Sequence, residues 1–288
     1  MDLTYAARFA IHDLFRFSVF WHRSTHGHIV TGQQCGSHWI NNLLAHVISA
    51  EYKIPPLKHI DERVIIGHPR LPQTYAQIPR LIWTHHAPSP LVHSAPVRSL
   101  ARFPKYVLLL RDIRASLVGQ YEKHKQDRPM TFSEYLRDNR ILGRSFKWDL
   151  DKRIVFFNAW GRVKEVLPGQ VHPVFYESLR RDTAGELERV WRFLELPVTD
   201  PAVFQQAAHA CSKEQMSQNE PPVRTHNLVR RDERDPVEWF SESDRDYFTS
   251  RTGKLLKHAF GYDFSDWTSA KRPPKTADLP PISTARAA

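Results

Sequence analysis

The run Val30-Thr31-Gly32-Gln33-Gln34-Cys35-Gly36-Ser37-His38-Trp39-Ile40 constrains this chain more than any other stretch. His28 to Thr31 reads as a brief buried strand, and Ile40, Leu43, Leu44, Val47 and Ile48 recur at the spacing that lines one face of a helix. A strand, a glycine-bearing turn and a helix start aim free backbone N–H groups and the positive end of the helix dipole at one point. The turn is therefore expected to cradle an anion. A Walker-type loop would end in Gly-Lys-Ser/Thr, with the lysine for the outer phosphates and the hydroxyl for magnesium. Here Ser37 and His38 follow Gly36, which argues against an ordinary NTPase or kinase.

Two more strand ends carry chemistry. Pro79 to Pro88 places a short apolar strand directly before a Thr84-His85 turn. With 16 histidines in the chain, the residue type singles out nothing. An imidazole with an ordinary pKa near ~6.5 at the position of His85 is suited to serve as a general base, with a surface or packing histidine as the competing reading. The apolar run between Lys105 and Arg111 reads as a central parallel strand buried on both faces. Arg111 then emerges at the carboxyl end, where open α/β sheets hold their ligands; a strand-end surface arginine is the competing reading. Val171 to Glu177 reads as the next strand.

Helices are expected over Phe132 to Leu142, Phe156 to Leu167 (Trp160 and Val163 inward), Asp182 to Leu196 and Tyr247 to Phe260. In the third of these Thr183 and Glu186 form a capping box and Pro197 closes the helix. The segment from Tyr52 to Gln77 reads as loops over the active face, with one strand-like run at Val64 to Ile66.

Forty-one Lys and Arg against 31 Asp and Glu give a formal charge of +10. That suits a polyanionic cofactor, an acidic substrate, nucleic acid or a membrane surface, and does not choose among them. No nucleic-acid-binding motif or clustered basic helix appears, so no nucleic acid partner is expected. Two cysteines allow no disulfide framework and no metal cluster, and a reducing, cytoplasmic setting is the simpler expectation. Residues 1–25 read as an amphipathic helix packed on the core, with peripheral membrane contact as the alternative. His12, Asp13 and Arg16 interrupt any spanning run. Residues 268–288 read as a disordered tail rich in Pro, Ala and basic residues.

Four stretches in order are similar to the PAPS-dependent sulfotransferases. Gln33 to Trp39 lies on that family's Pro-Lys-Ser-Gly-Thr-Thr-Trp, Pro79 to Pro88 on Pro-Arg-Leu-Ile-Lys-Thr-His-Leu-Pro, and Arg111 to Tyr121 on Arg-Asn-Pro-Lys-Asp-Val-Ala-Val-Ser-Tyr-Tyr. The strand ending Phe175-Tyr176-Glu177 lies on Phe-Tyr-Glu-Asp-Met. Fainter likenesses follow. Cys211 to Met216 resembles Thr-Ser-Phe-x-x-Met beside the adenine, and Arg230-Arg231-Asp232 stands where Arg-Lys-Gly clamps the 3′-phosphate.

The resemblance implies a three-layer, P-loop-like α/β fold with a central parallel sheet flanked by helices, and a sulfotransferase-like domain over residues 26–267. It implies PAPS as co-substrate, no metal, and a small-molecule, carbohydrate or lipid acceptor bearing a hydroxyl or amine. Its catalytic positions are His85 as base, Gln34 and His38. Its cofactor positions are Gln33, Gln34, Cys35, Gly36, Ser37, His38, Trp39, Arg111, Gly119, Tyr176, Cys211, Arg230 and Arg231.

Four departures stand out. Gln34 and Trp83 replace lysines that neutralise charge at the transferring sulfuryl, leaving His38 as the nearest candidate cation. Gly119 falls where the family has a serine, with Ser116 as a substitute on the same helix face. Lys213 replaces an aromatic, so adenine stacking would rest mainly on Trp39. An active transferase and a nucleotide- or polyanion-binding protein of the same fold are the two readings.

Overall fold

The computed structural model describes residues 25–68, 71–88, 90–125, 130–137, 141–142, 145–146, 149–197, 200–220 and 234–274. The expected N-terminal helix, Arg230, Arg231 and most of the expected tail lie outside the described residues.

Alternation along two short strands organises the core. β1 (Gly27–Thr31) is buried throughout and leads through α1 (Ser37–Tyr52) to β2 (Ile66–Gly67) and β3 (Leu81–Thr84). α2 (Ala95–Leu100) precedes β4 (Lys105–Leu110), which is followed by α3 (Ile113–His124) and α4 (Phe132–Arg137). β5 (Ile141–Leu142) and β6 (Ser145–Phe146) form a separate antiparallel pair. Next come α5 (Asp149–Val166), β7 (Val171–Phe175), α6 (Tyr176–Arg181), α7 (Thr183–Phe193), α8 (Pro201–Ala210) and α9 (Lys213–Gln218). A 3₁₀ turn (Pro236–Trp239) and α10 (Glu242–Leu255) complete the described elements.

The main sheet has the order β2-β3-β1-β4-β7 and is parallel throughout. Successive strand residues point to opposite faces. Ile29, Val107 and Leu109 thus meet α1, α7 and α8, while Val30, Leu108 and Leu110 meet α3, α5 and α10. Both faces are covered, which explains the uninterrupted apolar run of β4. Ile40, Leu43, Leu44, Val47 and Ile48 are fully buried. At about 1.5–3 kcal/mol for each such side chain, they fix α1 firmly, and with it the turn at its start.

The register puts the functional strand ends level. Val30 pairs with Thr84 and Leu108, Thr31 with Leu109, and Leu110 with Phe175. Thr31, His85, Arg111 and Tyr176 therefore emerge along one edge, on either side of β1, where the strand order reverses.

Several expected boundaries move. The expected strand at Val64 to Ile66 shrinks to β2, with Val64 exposed. The helix expected to reach Leu142 stops at Arg137, because Ile141 and Leu142 pair with Phe146 and Ser145. The helix expected from Phe156 begins at Asp149, and Trp160 and Val163 are buried on it as expected. α7 is capped by Asp182, whose carboxylate accepts from the Gly185 N–H, and the Thr183 hydroxyl instead donates back to the Leu179 carbonyl. The last helix starts at Glu242 under a Ser241–Asp244 capping box and stops at Leu255, where the Asn158 side chain takes over the Leu255 carbonyl and the Lys257 N–H. Ala270 is buried against Ala115 and Val237, so packing continues past residue 267.

Candidate active site

The turn between β1 and α1 is held by its own backbone. The Cys35 N–H donates to the Gly32 carbonyl, Gln34 adopts φ 58° and Gly36 φ 94°. Gly36 is required twice over. Its φ lies in the left-handed region, and a Cβ there would stand 2.8 Å from the Tyr176 ring. α1 begins directly after it with no side-chain cap and no acidic residue in its first turn. The first N–H groups of the helix are thus left to an outside acceptor.

Arg111 closes this cradle. One Nη donates to the Gln34 carbonyl at 2.9 Å, and the guanidinium lies 4.3 Å over the Tyr176 ring. Its Nε is buried with no hydrogen-bond partner among the described residues, a costly arrangement unless an acceptor arrives. Free helix N–H groups, a turn that tolerates no Cβ and an unsatisfied buried guanidinium N–H fit a phosphate group.

His85 stands across β1 from Arg111. Its Nδ1 lies 3.0 Å from the Thr31 carbonyl and 2.9 Å from the Thr31 hydroxyl. A carbonyl can only accept, so Nδ1 carries the proton and Nε2 offers its lone pair. Burial drives the imidazole pKa down to about 4. The Thr31 carbonyl bond opposes that, while the charges of His38, Lys123 and Arg63 reinforce it. The ring is neutral at physiological pH. Trp83 meets it edge-on at 5.1 Å, and His38 lies 6.4 Å beyond Trp83 with its Nδ1 donating to the Ile60 carbonyl at 3.3 Å.

The remaining sequence-derived positions sort by geometry. Gly119 faces the turn: a Cβ there would be 3.6 Å from the Gln34 Cβ. Ser116 cannot replace it at a phosphate, since its hydroxyl donates to the Ile113 carbonyl and accepts from Arg153 Nε at 2.7 Å, both inside the core. Gln33 is exposed and Ser37 buried as the first residue of α1. Cys35 and Cys211 are buried and burial pushes both thiols up to about 12, so neither is a nucleophile. Trp39 packs edge-on to Tyr176 at 5.6 Å and donates from Nε1 to the Cys211 carbonyl at 2.9 Å, tying α1 to the start of α9.

Sequence reasoning missed Glu177. This buried carboxyl, pushed up to about 7 by burial against the opposing pull of its hydrogen bonds, accepts from the Asp112 N–H at 3.0 Å and the Tyr262 hydroxyl at 2.7 Å. It anchors the chain just after Arg111 from behind. Its place after Tyr176 at a strand end was the available signal; its partner Tyr262 lies far along the chain. Among the described residues, no group of three His, Cys, Asp or Glu is arranged to hold a metal ion.

The family model of the sulfotransferase domain matches residues 24–261. The chain belongs to the sulfotransferase domain family. Solved structures are similar over most of the chain. The crystal structure of mouse sulfotransferase SULT7A1 complexed with PAP is 15% identical at a TM-score of 0.53, covering 84% of this chain and 91% of that one. Retinol dehydratase in complex with androsterone and the inactive cofactor PAP is 15% identical at 0.58, covering 87% and 86%. The same protein with retinol and PAP is 14% identical at 0.59, covering 88% of each chain. No curated protein sequence matches the chain significantly. Among the described residues, no helix of this sulfotransferase-family chain is long and apolar enough to cross a membrane.

Proposed function

We propose that the protein transfers a sulfuryl group from PAPS to a hydroxyl or amine, with His85 as general base. The observation that carries this reading is the pairing, across one strand, of a phosphate-shaped cradle at Gly36 and Arg111 with a neutral imidazole whose Nε2 is left unprotonated. In the transfer the acceptor atom bonds sulfur, the bond from sulfur to the phosphate oxygen breaks, and that electron pair leaves with PAP.

Each residue then has a task. The N–H groups at the start of α1 and the Arg111 guanidinium hold phosphate, by charge-assisted hydrogen bonds. Thr31 orients His85 and keeps its proton on Nδ1, so that Nε2 takes the acceptor's proton. Tyr176 backs the turn and Arg111 together. Trp39, whose Nε1–H is already committed to Cys211, offers a ring face to the adenine. Arg230 and Arg231 remain proposed contacts to the 3′-phosphate. The PAP held by the similar solved folds supports the choice of co-substrate, and their androsterone and retinol support a small apolar acceptor.

The uncharged Gln34 and Trp83 favour a second reading, a nucleotide-binding protein that transfers slowly or not at all. Incubation with labelled PAPS and a panel of phenols, sugars, lipids and peptides separates the two. Under the transferase reading His85→Ala lowers transfer by about 10²–10⁴-fold and changes PAP affinity less than about threefold. Equal loss of both removes His85 from the base role.

A further inference from the structure

Given the transfer reading above, we propose that Arg63 and Lys123 supply the positive charge at the sulfonate end of PAPS, from the loop before β2 and from α3, in place of side chains on the turn and on β3. Sulfuryl transfer, like phosphoryl transfer, depends on charge stabilisation at the moving group and the leaving oxygen. Yet the two positions beside that point, Gln34 in the turn and Trp83 two residues before His85, carry none.

Trp83 instead works as a platform. The Arg63 guanidinium carbon lies 4.9 Å from the centre of its ring, and the same ring meets His85 edge-on at 5.1 Å. A guanidinium held over an indole keeps its charge while losing rotamer freedom. Arg63 is otherwise exposed, in the loop that leads into β2. Lys123 arrives from the other side. It lies one helical turn after Gly119, on the same face of α3, and Gly119 abuts the Gln34 side chain. The absence of a side chain at Gly119 lets the turn and the helix approach closely, which puts the helix face that carries Lys123 beside the turn.

The direction of the His85 pKa agrees with the placement: burial lowers it most, and the charges of His38, Lys123 and Arg63 lower it further. The charges of Arg63 and Lys123 therefore act at the imidazole proposed as the base. His38 differs from the other two, since its Nδ1–H is spent on the Ile60 carbonyl and it is charged only when Nε2 is also protonated.

Comparing PAPS with PAP isolates the sulfonate end, because the two share every other group. Calorimetric titration of both into wild type, Arg63→Gln, Lys123→Gln and the double variant, at about 0.15 M salt so that charges beyond ~8 Å are screened, reads the contact directly. The expected result is a loss of PAPS affinity of about tenfold for each single variant, with PAP affinity within about threefold of wild type. Arg63→Lys should keep most of the preference for PAPS, and transfer by the double variant should fall by about 10²–10³-fold. Equal weakening for PAPS and PAP, or no weakening for either, overturns the assignment while leaving the transferase reading standing. A wild-type protein that binds neither nucleotide sinks both. Unfolding temperatures of the variants, expected to match wild type for these non-core residues, exclude misfolding as the cause of a loss.

Discussion

The two ends of the site are built from different materials. At the end proposed to hold phosphate the available groups are backbone N–H groups, a glycine with no room for a Cβ, and one guanidinium pinned between the Gln34 carbonyl and the Tyr176 ring. At the proposed transfer end they are side chains, and Gln34 and Trp83 there are uncharged. Backbone geometry cannot be exchanged one residue at a time, because altering it requires moving α1 and its buried aliphatic face. Side-chain charge can be relocated by substitutions on several elements, provided the field at the reacting atom is preserved. Under the proposed function, the contrast accounts for a chain about 15% identical to a solved sulfotransferase that has the glycine turn and His85 but no lysine at positions 34 and 83.

The sharpest way to break this contrast is at the phosphate end. Gly36→Ala forces a Cβ into Tyr176 at left-handed φ. It should cost about 1–3 kcal/mol of stability and weaken PAP by at least about 100-fold, read by thermal unfolding and calorimetry. Near-normal PAP binding would mean the turn is not the cradle.

At the transfer end the expected change runs the other way. Gln34→Lys should raise turnover by about tenfold, a fraction of the 10²–10³ attributed to one preorganised contact, because charge is already supplied from elsewhere. An unchanged or lower rate in the labelled-PAPS assay would place residue 34 away from the leaving oxygen.

The mildest test is pH. The His85 ring, lowered from the usual ~6.5 to about 4, stays neutral through the range in which a free histidine titrates. The acid limb of kcat/KM for PAPS, which reports the free protein, should therefore be absent between about pH 5.5 and 7. A limb centred near ~6.5 would mean that the ring is solvated. Stability carries the matching sign. The unfolded ring binds its proton at higher pH than the folded one, so His85 and the similarly lowered His172 make the fold less stable as pH falls from ~6.5 toward about 4.

Much of this was legible in the sequence because it is local. A strand of four or five buried residues followed by a glycine turn, or by Thr-His, leaves its mark within ten positions, and so β1, β3, β4 and the place of Arg111 at a strand end could be read directly, while His85 stood out through the family resemblance. What was not legible depends on distant partners. α4 ends early because two residues beyond it find a cross-strand partner. Ser116 points into the core because Arg153, 37 residues later, claims it. Arg63 looks like one charge among many until the fold lays it on Trp83. The cap of α7 was misplaced by one residue for a subtler reason: Asp182 and Thr183 are both good capping types, and only the backbone decides which carboxylate or hydroxyl faces the open N–H groups.

The bond from Tyr262 to Glu177 has a consequence for synthesis. The wall behind Arg111 is finished only when a residue near the far end of the chain has docked. A nascent polypeptide still on the ribosome can assemble the strands and the glycine bend long before that, yet under the proposed function it would grip nucleotide fully only after Tyr262 has emerged.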